Sequence, residues 1–311
     1  MPRLSAEDYG TTTRRPADFD RFWDDILAQV SRIPLNATIE PLPLRSTDAV
    51  EVFEVKYDSL DRVRIACWYC LPRRRTGQLP AIIHVPGYVS EPMVPKGTAA
   101  KGYVALSVAP RGKLRSNSQF NPGYPGLLTH HITDRNAYSY HGFYVDALRA
   151  VDFLLAQPEV DPARIGVTGS SQGGALTIVV SALRREIACA AAGAPYLCGF
   201  LDSARLTHSY PYEEINEYLR LHPERESAVR ETLEYFDGIN FAPAIQCPII
   251  VNIGLQDDVC PPETGFAVYR AIGSANKKLY PYADCMHDAG SFWHAAIVDA
   301  FLAAQLHPGG S

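Results

Sequence analysis

The segment Gly169-Ser170-Ser171-Gln172-Gly173 constrains this chain more than any other. It follows a short apolar run at residues 165–168 and precedes an apolar stretch of helical pattern at 174–183. A strand that turns directly into a helix leaves little room for side chains. Glycines two residues before and two residues after a serine therefore mark a tight turn with that serine at its apex. Ser171 occupies the apex, whereas Ser170 has no glycine pair at that spacing. Without its context the pentapeptide is a turn with a hydroxyl cap. Between a buried strand and a helix it is a nucleophile elbow, with the helix amino terminus directed at the place where negative charge develops.

The apolar runs at 81–85, 104–109, 165–168 and 249–253 are short and continuous, the pattern of strands buried on both faces. Helical patterns lie between them, notably 144–156 with Ala147, Leu148, Val151, Leu154 and Leu155 on one side, and a last helix at 291–306. Strands alternating with helices predict an α/β fold with a mostly parallel central sheet flanked by helices. Ahead of it, Phe19, Phe22, Trp23, Ile26, Leu27 and Val30 form the apolar face of a helix over 18–30. Residues 50–71 read as a hairpin around Asp58-Ser59-Leu60-Asp61, an amino-terminal helical and antiparallel extension. One domain over 1–311 is expected, with an inserted helical segment at approximately 196–242. That insertion and a long polar connection at 113–141 are expected to wall a binding site or to make oligomer contacts.

Composition narrows the chemistry. A net charge of −5 gives no electrostatic reason for binding nucleic acid or an anionic membrane, and no run is long enough to span a bilayer. The polar amino terminus does not read as a secretory signal, and seven scattered cysteines fit reduced thiols in a cytoplasm. Cys67 and Cys70 have the spacing of half a zinc site but sit in a strand pattern with no second pair, so no metal is expected.

A serine needs a base, and the base needs an orienting acid. Asp257 follows the 249–253 strand through Gly254-Leu255-Gln256, and His287 follows the strand-like 279–282 and precedes the last helix. Carboxyl-terminal strand ends are where open α/β sheets bind ligands, and the order Ser, Asp, His is that of the α/β-hydrolase fold. Asp258 and Asp284 are rival acids; adjacent loop residues point apart, and Asp257 is preferred. His84 reads as a loop brace, His294 as a packing or surface residue within a helix, and His130 and His131 as part of the polar connection. The oxyanion donors are expected from the Gln172 N–H and from Gly87 or Tyr88 after the early strand, with Tyr88 preferred.

With those residues in place the chain resembles carbohydrate esterase family seven, the acetyl xylan esterases and cephalosporin C deacetylases. The likeness rests on Pro16-Ala17-Asp18-Phe19-Asp20, Tyr124-Pro125-Gly126, Ser171-Gln172-Gly173-Gly174 and Tyr235-Phe236-Asp237-Gly238. It is most specific at Gly254-Leu255-Gln256-Asp257-Asp258-Val259-Cys260-Pro261-Pro262. Two positions depart from it: Lys113 stands where the family's Arg-Gly-Gln has glutamine, and Asp288 where its His-Glu has glutamate. The resemblance implies deacetylation of short acyl esters of sugars or small molecules without metal or organic cofactor. It also implies a small acyl pocket to which Tyr88 and Pro195 contribute, and a homo-oligomer, a hexamer with inward-facing sites. Rival readings are an amidase or thioesterase with the same triad, or a non-catalytic binding protein of this fold.

Overall fold

Short, predominantly apolar runs become strands shielded on both faces. The computed structural model, which describes residues 5–307, assembles nine strands into one sheet. They are β1 (Thr38–Pro41), β2 (Val50–Asp58), β3 (Arg64–Pro72), β4 (Leu79–His84), β5 (Val104–Ala109), β6 (Val160–Ser170), β7 (Ile187–Gly193), β8 (Ile249–Gly254) and β9 (Lys277–Tyr282). Every residue of β5 and β8 is buried, whereas β2 alternates between buried and partly exposed positions as an outer antiparallel strand should. Spatial order is β1-β2-β3-β5-β4-β6-β7-β8-β9. Pairing is antiparallel from β1 through β5 and parallel from β5 onward.

The helices are α1 (Phe19–Val30), α2 (Lys96–Ala100), α3 (Ser139–Leu155), α4 (Gln172–Leu183), α5 (Phe200–Leu206), α6 (Glu213–Leu221), α7 (Glu226–Glu234), α8 (Gly238–Phe241), α9 (Pro262–Ala271) and α10 (Ser291–Leu306). Adjacent residues of one strand serve opposite faces. Ile83 joins the large core built with α3 and α4, while Ile82 joins Cys189, Leu302 and Leu306 beneath α10. The 196–242 stretch forms α5 to α8. The segment ahead of α1 is tied to that stretch, because Thr11 and Thr12 donate to the Asp202 carboxylate and the Thr13 hydroxyl donates to Asp237.

One feature of the strand order positions the site. The chain runs from β4 to β5 on one side, then returns past β4 to lay β6 on the other, so β4 and β6 are neighbours at the point where the strand order reverses. A crevice opens outside the carboxyl ends of strands at such a switch. His84, the last residue of β4, pairs with Thr168, two residues before the end of β6. The loop carrying Gly87 and Tyr88 therefore faces the loop carrying Ser171.

Candidate active site

The turn after β6 is as tight as its glycines require. A Cβ on Gly169 would stand 2.6 Å from the Val85 carbonyl oxygen, and one on Gly173 only 2.4 Å from the same atom. Both are backbone collisions that cannot relax by side-chain rotation. Ser171 itself has φ 61° and ψ −122°, a conformation an L residue holds only when its surroundings impose it. They do so through three backbone hydrogen bonds: Ser171 N–H donates to Gly193 O at 2.9 Å, and its carbonyl accepts from Ala175 and Tyr196 at 3.1 Å each. The serine is the N-cap of α4. Gln172, the first residue of that helix, has an N–H the helix does not consume.

The Gln172 side chain is fully buried and fixed at both ends. Its Oε1 accepts from the Tyr140 hydroxyl at 2.7 Å and its Nε2 donates to Gly87 O at 3.3 Å, linking the elbow to the loop after β4. Tyr88 lies on that loop with its ring edge against Tyr124 at 4.8 Å between centroids and against Tyr196 at 5.9 Å. Its hydroxyl donates to Glu214 Oε1 at 2.7 Å and accepts from Leu128 N–H at 3.2 Å, and Glu214 Oε2 accepts from Gly126 N–H. Burial of the Glu214 carboxyl pushes its pKa up despite these donors.

Asp257 and His287 meet at the far wall. His287 Nδ1 and Asp257 Oδ2 are 2.8 Å apart, and Asp257 Oδ1 accepts from the Val259 and Cys260 N–H groups at 2.8 Å each. The Asp257 side chain is 1% exposed while His287, at 31%, reaches the cleft. Asp258 and Asp284 are exposed and take no part in this arrangement. Asp288 stays local, its Oδ1 accepting from Met286 N–H at 3.1 Å in the turn that carries His287. His84 bonds Thr98 Oγ1 at 2.9 Å, and burial lowers its pKa to about 4, which suits a neutral brace. His294 is buried against Tyr282, its Nδ1 3.0 Å from that hydroxyl.

A pocket of about 450 Å³ opens between these walls, lined by Ser171 and His287 together with Tyr88, Tyr124, Pro125, Tyr210, Pro211, Glu214 and Val259. A second hollow, of about 580 Å³, reaches Ser171 and His287 from the opposite side past Pro92 and Met93. Of the residues singled out in the sequence, Ser171, Asp257, His287, Tyr88 and Gln172 converge on this cleft. Pro195 does not line it: it is buried behind the elbow, its Cα 3.0 Å from where a Cβ on Gly174 would stand. The roof residues Tyr210, Pro211 and Glu214 carry no motif in the sequence; the aromatic, charged character of the 196–242 stretch is their only signal. Asp257, Cys260 and His287 place one potential ligand atom each within 4.8 Å of one another. Two of those three side chains are already bonded to each other, so the set fits an orienting pair with a buried thiol beside it. Among the described residues no helix is long and apolar enough to cross a membrane.

Behind the cleft a buried ion pair anchors the loop after β5. Asp146 on α3 is fully buried; its Oδ2 accepts from Arg111 N and Nε at 2.8 and 2.9 Å, and its Oδ1 from Arg111 Nη2 at 2.9 Å and Ser59 Oγ at 2.5 Å. Arg111 is held in turn against Leu60 O at 2.9 Å.

A sheet of this order, with a strained serine elbow at its switch point and a His–Asp pair on the later loops, defines a protein of the α/β-hydrolase fold. More narrowly, the chain belongs to the acetyl xylan esterase (AXE1) family, whose model matches residues 1–304. An acetyl xylan esterase from Paenibacillus sp. superposes with a TM-score of 0.91 at 34% identity, covering 98% of this chain and 100% of that one. Acetyl xylan esterase 1 from Thermoanaerobacterium sp. superposes with a TM-score of 0.88 at 26% identity, covering 97% of this chain and 98% of that one. Acetyl esterase Axe7A of Xylanibacter ruminicola is 29% identical over 86% of this chain, which spans 62% of that protein's length.

Proposed function

We propose that this chain is a serine esterase that removes acetyl and other short acyl groups from acetylated sugars, xylo-oligosaccharides or cephalosporin-like small molecules. One observation carries the reading: an elbow serine and a histidine bonded to a buried aspartate open on the same apolar pocket, in a chain of the acetyl xylan esterase family. Ser171 Oγ attacks the acyl carbon as His287 Nε2 takes its proton. Asp257 holds Nδ1–H and so fixes the tautomer that leaves Nε2 free to act. The Gln172 and Tyr88 N–H groups receive the oxyanion, His287 returns the proton to the leaving alcohol, and water repeats the sequence on the acyl-enzyme to release the carboxylic acid. No charge relay beyond this is needed, and an uncharged acyl ester group suits walls made of Tyr88, Tyr124, Pro125, Tyr210 and Pro211.

Lys113 and Asp288, which stand where the family's glutamine and glutamate are expected, favour a second reading, in which the same machinery acts on another acyl ester, amide or thioester. Acetate release from p-nitrophenyl acetate, an acetylated xylo-oligosaccharide and cephalosporin C, run beside butyryl and longer esters and amides, separates the two. Ser171→Ala is expected to abolish every activity in folded protein, and wild-type turnover by that variant would remove the assignment.

We further propose a homo-oligomer, a hexamer by the family resemblance, in a cytoplasm. Support comes from Met286, Phe292 and Trp293, exposed by 50%, 91% and 75% beside the His287 turn, and from seven cysteines that are all unpaired. A solution mass of one chain would remove the oligomer.

A further inference from the structure

Lys113 is the one large cation whose side chain the cleft wall buries completely without a carboxylate in hydrogen-bond contact among the described residues. An ammonium out of water has to be resolvated by protein dipoles. Its Nζ donates to Gly87 O at 2.7 Å and to Tyr88 O, and it stands 5.0 Å from the centroid of the Tyr124 ring. Three N–H donors thus meet two carbonyls and one aromatic face. The two carbonyls belong to the loop that faces Ser171, 26 and 25 residues before the lysine in sequence.

The geometry of a trans peptide makes this contact consequential. The carbonyl of Gly87 and the N–H of Tyr88 belong to one planar unit and point in opposite directions. Fixing Gly87 O on the buried side therefore fixes the direction of the Tyr88 N–H on the cleft side. Gln172 Nε2 bonds the same carbonyl at 3.3 Å, so both expected oxyanion donors are referred to one atom. A charged donor on the carbonyl also polarises the peptide and makes its N–H a stronger donor.

We propose that Lys113 is a positioning residue of the oxyanion loop, and that its positive charge, acting through the Gly87–Tyr88 peptide, contributes to stabilising the oxyanion. The proposal rests on the esterase reading of Ser171. It deepens that reading by making the hydrolysis rate depend on the protonation of a residue that touches no substrate.

Burial lowers the Lys113 pKa to about 8, an effect opposed by Glu91. Glu91 Oε1 accepts from the Leu114 N–H at 2.9 Å, and its Oε2 is buried without a partner among the described residues. The Tyr88 and Tyr124 phenols are pushed up by burial and stay neutral, Arg111 on the same turn is paired with Asp146, and Glu214 bonds the far end of Tyr88. As pH rises through about 8 the lysine loses its charge and the donor facing the Tyr124 ring. The turnover number then falls while substrate affinity, set by the pocket walls, is retained.

The test compares wild type with Lys113→Gln, a neutral side chain that keeps two N–H donors, and Lys113→Met, which keeps none. The readouts are kcat and KM for p-nitrophenyl acetate from pH 6 to 10, the rate of Ser171 labelling by a fluorophosphonate over the same range, and thermal unfolding by circular dichroism. Wild type is expected to lose kcat with an apparent pKa near 8. Lys113→Gln is expected to melt near wild type, keep KM within about threefold, lose roughly 10- to 100-fold in kcat at pH 7, and lack the alkaline limb. Lys113→Met is expected to lose more, approaching the roughly 10²- to 10³-fold cost of a missing oxyanion donor. A Lys113→Gln enzyme with wild-type kcat and an unchanged alkaline limb overturns the proposal, as does a rise in KM at constant kcat. Labelling needs no knowledge of the substrate. A wild type that labels at Ser171 but hydrolyses no ester fails the esterase reading alone, and the lysine dependence is then decided by labelling rates. Absence of labelling in folded wild type overturns both.

Discussion

Replacing Asp257 by asparagine isolates what the buried carboxylate does for the histidine. The carboxylate is saturated, with Oδ1 receiving two backbone N–H groups and Oδ2 standing 2.8 Å from His287 Nδ1. Asparagine has one carbonyl oxygen, and the two N–H groups of the 257–260 turn claim it, which leaves the amide NH₂ facing Nδ1. Nδ1 must then accept, so the single proton of the neutral ring moves to Nε2, the atom that has to receive the serine proton. The ring keeps its position and loses its function as a base. Misassigned tautomers of this kind cost roughly 10⁴-fold in kcat, or about 5.5 kcal/mol of barrier at 1.36 kcal/mol per decade. Stability changes little, because every buried group keeps a partner: at about 1 kcal/mol, and with an unfolding entropy of roughly 0.65 kcal/mol per kelvin for a chain this size, the melting point moves by about 1–2 °C. The assay is kcat on p-nitrophenyl acetate per active site, beside a melting curve. An Asp257→Asn enzyme within about tenfold of wild type, melting normally, would refute the tautomer argument; a melting point lowered by ten degrees or more would refute the claim that the turn survives.

Two further substitutions follow from the same geometry. Gly173→Ala puts a methyl 2.4 Å from the Val85 carbonyl and so separates the elbow from the oxyanion loop; kcat is expected to fall by at least about a hundredfold, since displacements near 1 Å have that effect, and a fully active variant would show that the two loops can part without consequence. Asp146→Asn leaves the buried Arg111 guanidinium without its buried counter-charge, with only the exposed Asp61 carboxylate 3.8 Å away, at a cost of roughly 3–5 kcal/mol, or about 5–8 °C in melting point. Arg111→Met combined with Asp146→Leu is expected to melt above the Asp146→Asn single variant, and a double variant no better than the single would assign the loss to packing instead.

The legible parts of the fold are those whose burial is written in side-chain type. Val104–Ala109 and Ile249–Gly254 are fully buried and apolar apart from Ser107 and Asn252, and the last helix spans Ser291–Leu306 as its pattern predicts. β7 is invisible in Ile187-Ala188-Cys189-Ala190-Ala191-Ala192-Gly193, because alanine favours helix. Small residues are needed there since Gly193 must come close enough for its carbonyl to accept the Ser171 N–H at 2.9 Å. β1 is a four-residue exposed edge with no apolar alternation to announce it. α3 begins at Ser139, earlier than the run at 144–156 suggests, because Gly142 lies where the Arg111 guanidinium crosses the helix and the apolar period is broken.

At the site, chain order and strand ends bring out Ser171, Asp257 and His287 as candidates, while the preference for Asp257 over Asp258 leans also on the resemblance at 254–262. The roof was not. Tyr210, Pro211 and Glu214 reach the pocket from a stretch whose loops no local pattern can place. Lys113 read as a departure of unknown effect, because the carbonyls it binds lie 25 and 26 residues away across the β4–β5 connection.

The adjacency of β4 and β6 has a consequence for how such a protein can change. The elbow and the facing loop hang from paired strands locked at His84 and Thr168, whereas the pocket roof comes from a separate stretch that contributes neither. Reactivity and selectivity therefore arise on different parts of the chain, joined where Glu214 holds the Tyr88 hydroxyl and the Tyr196 N–H holds the Ser171 carbonyl. Change in the roof away from those two contacts retunes which molecule is accepted while the paired strands keep the elbow and its facing loop in register.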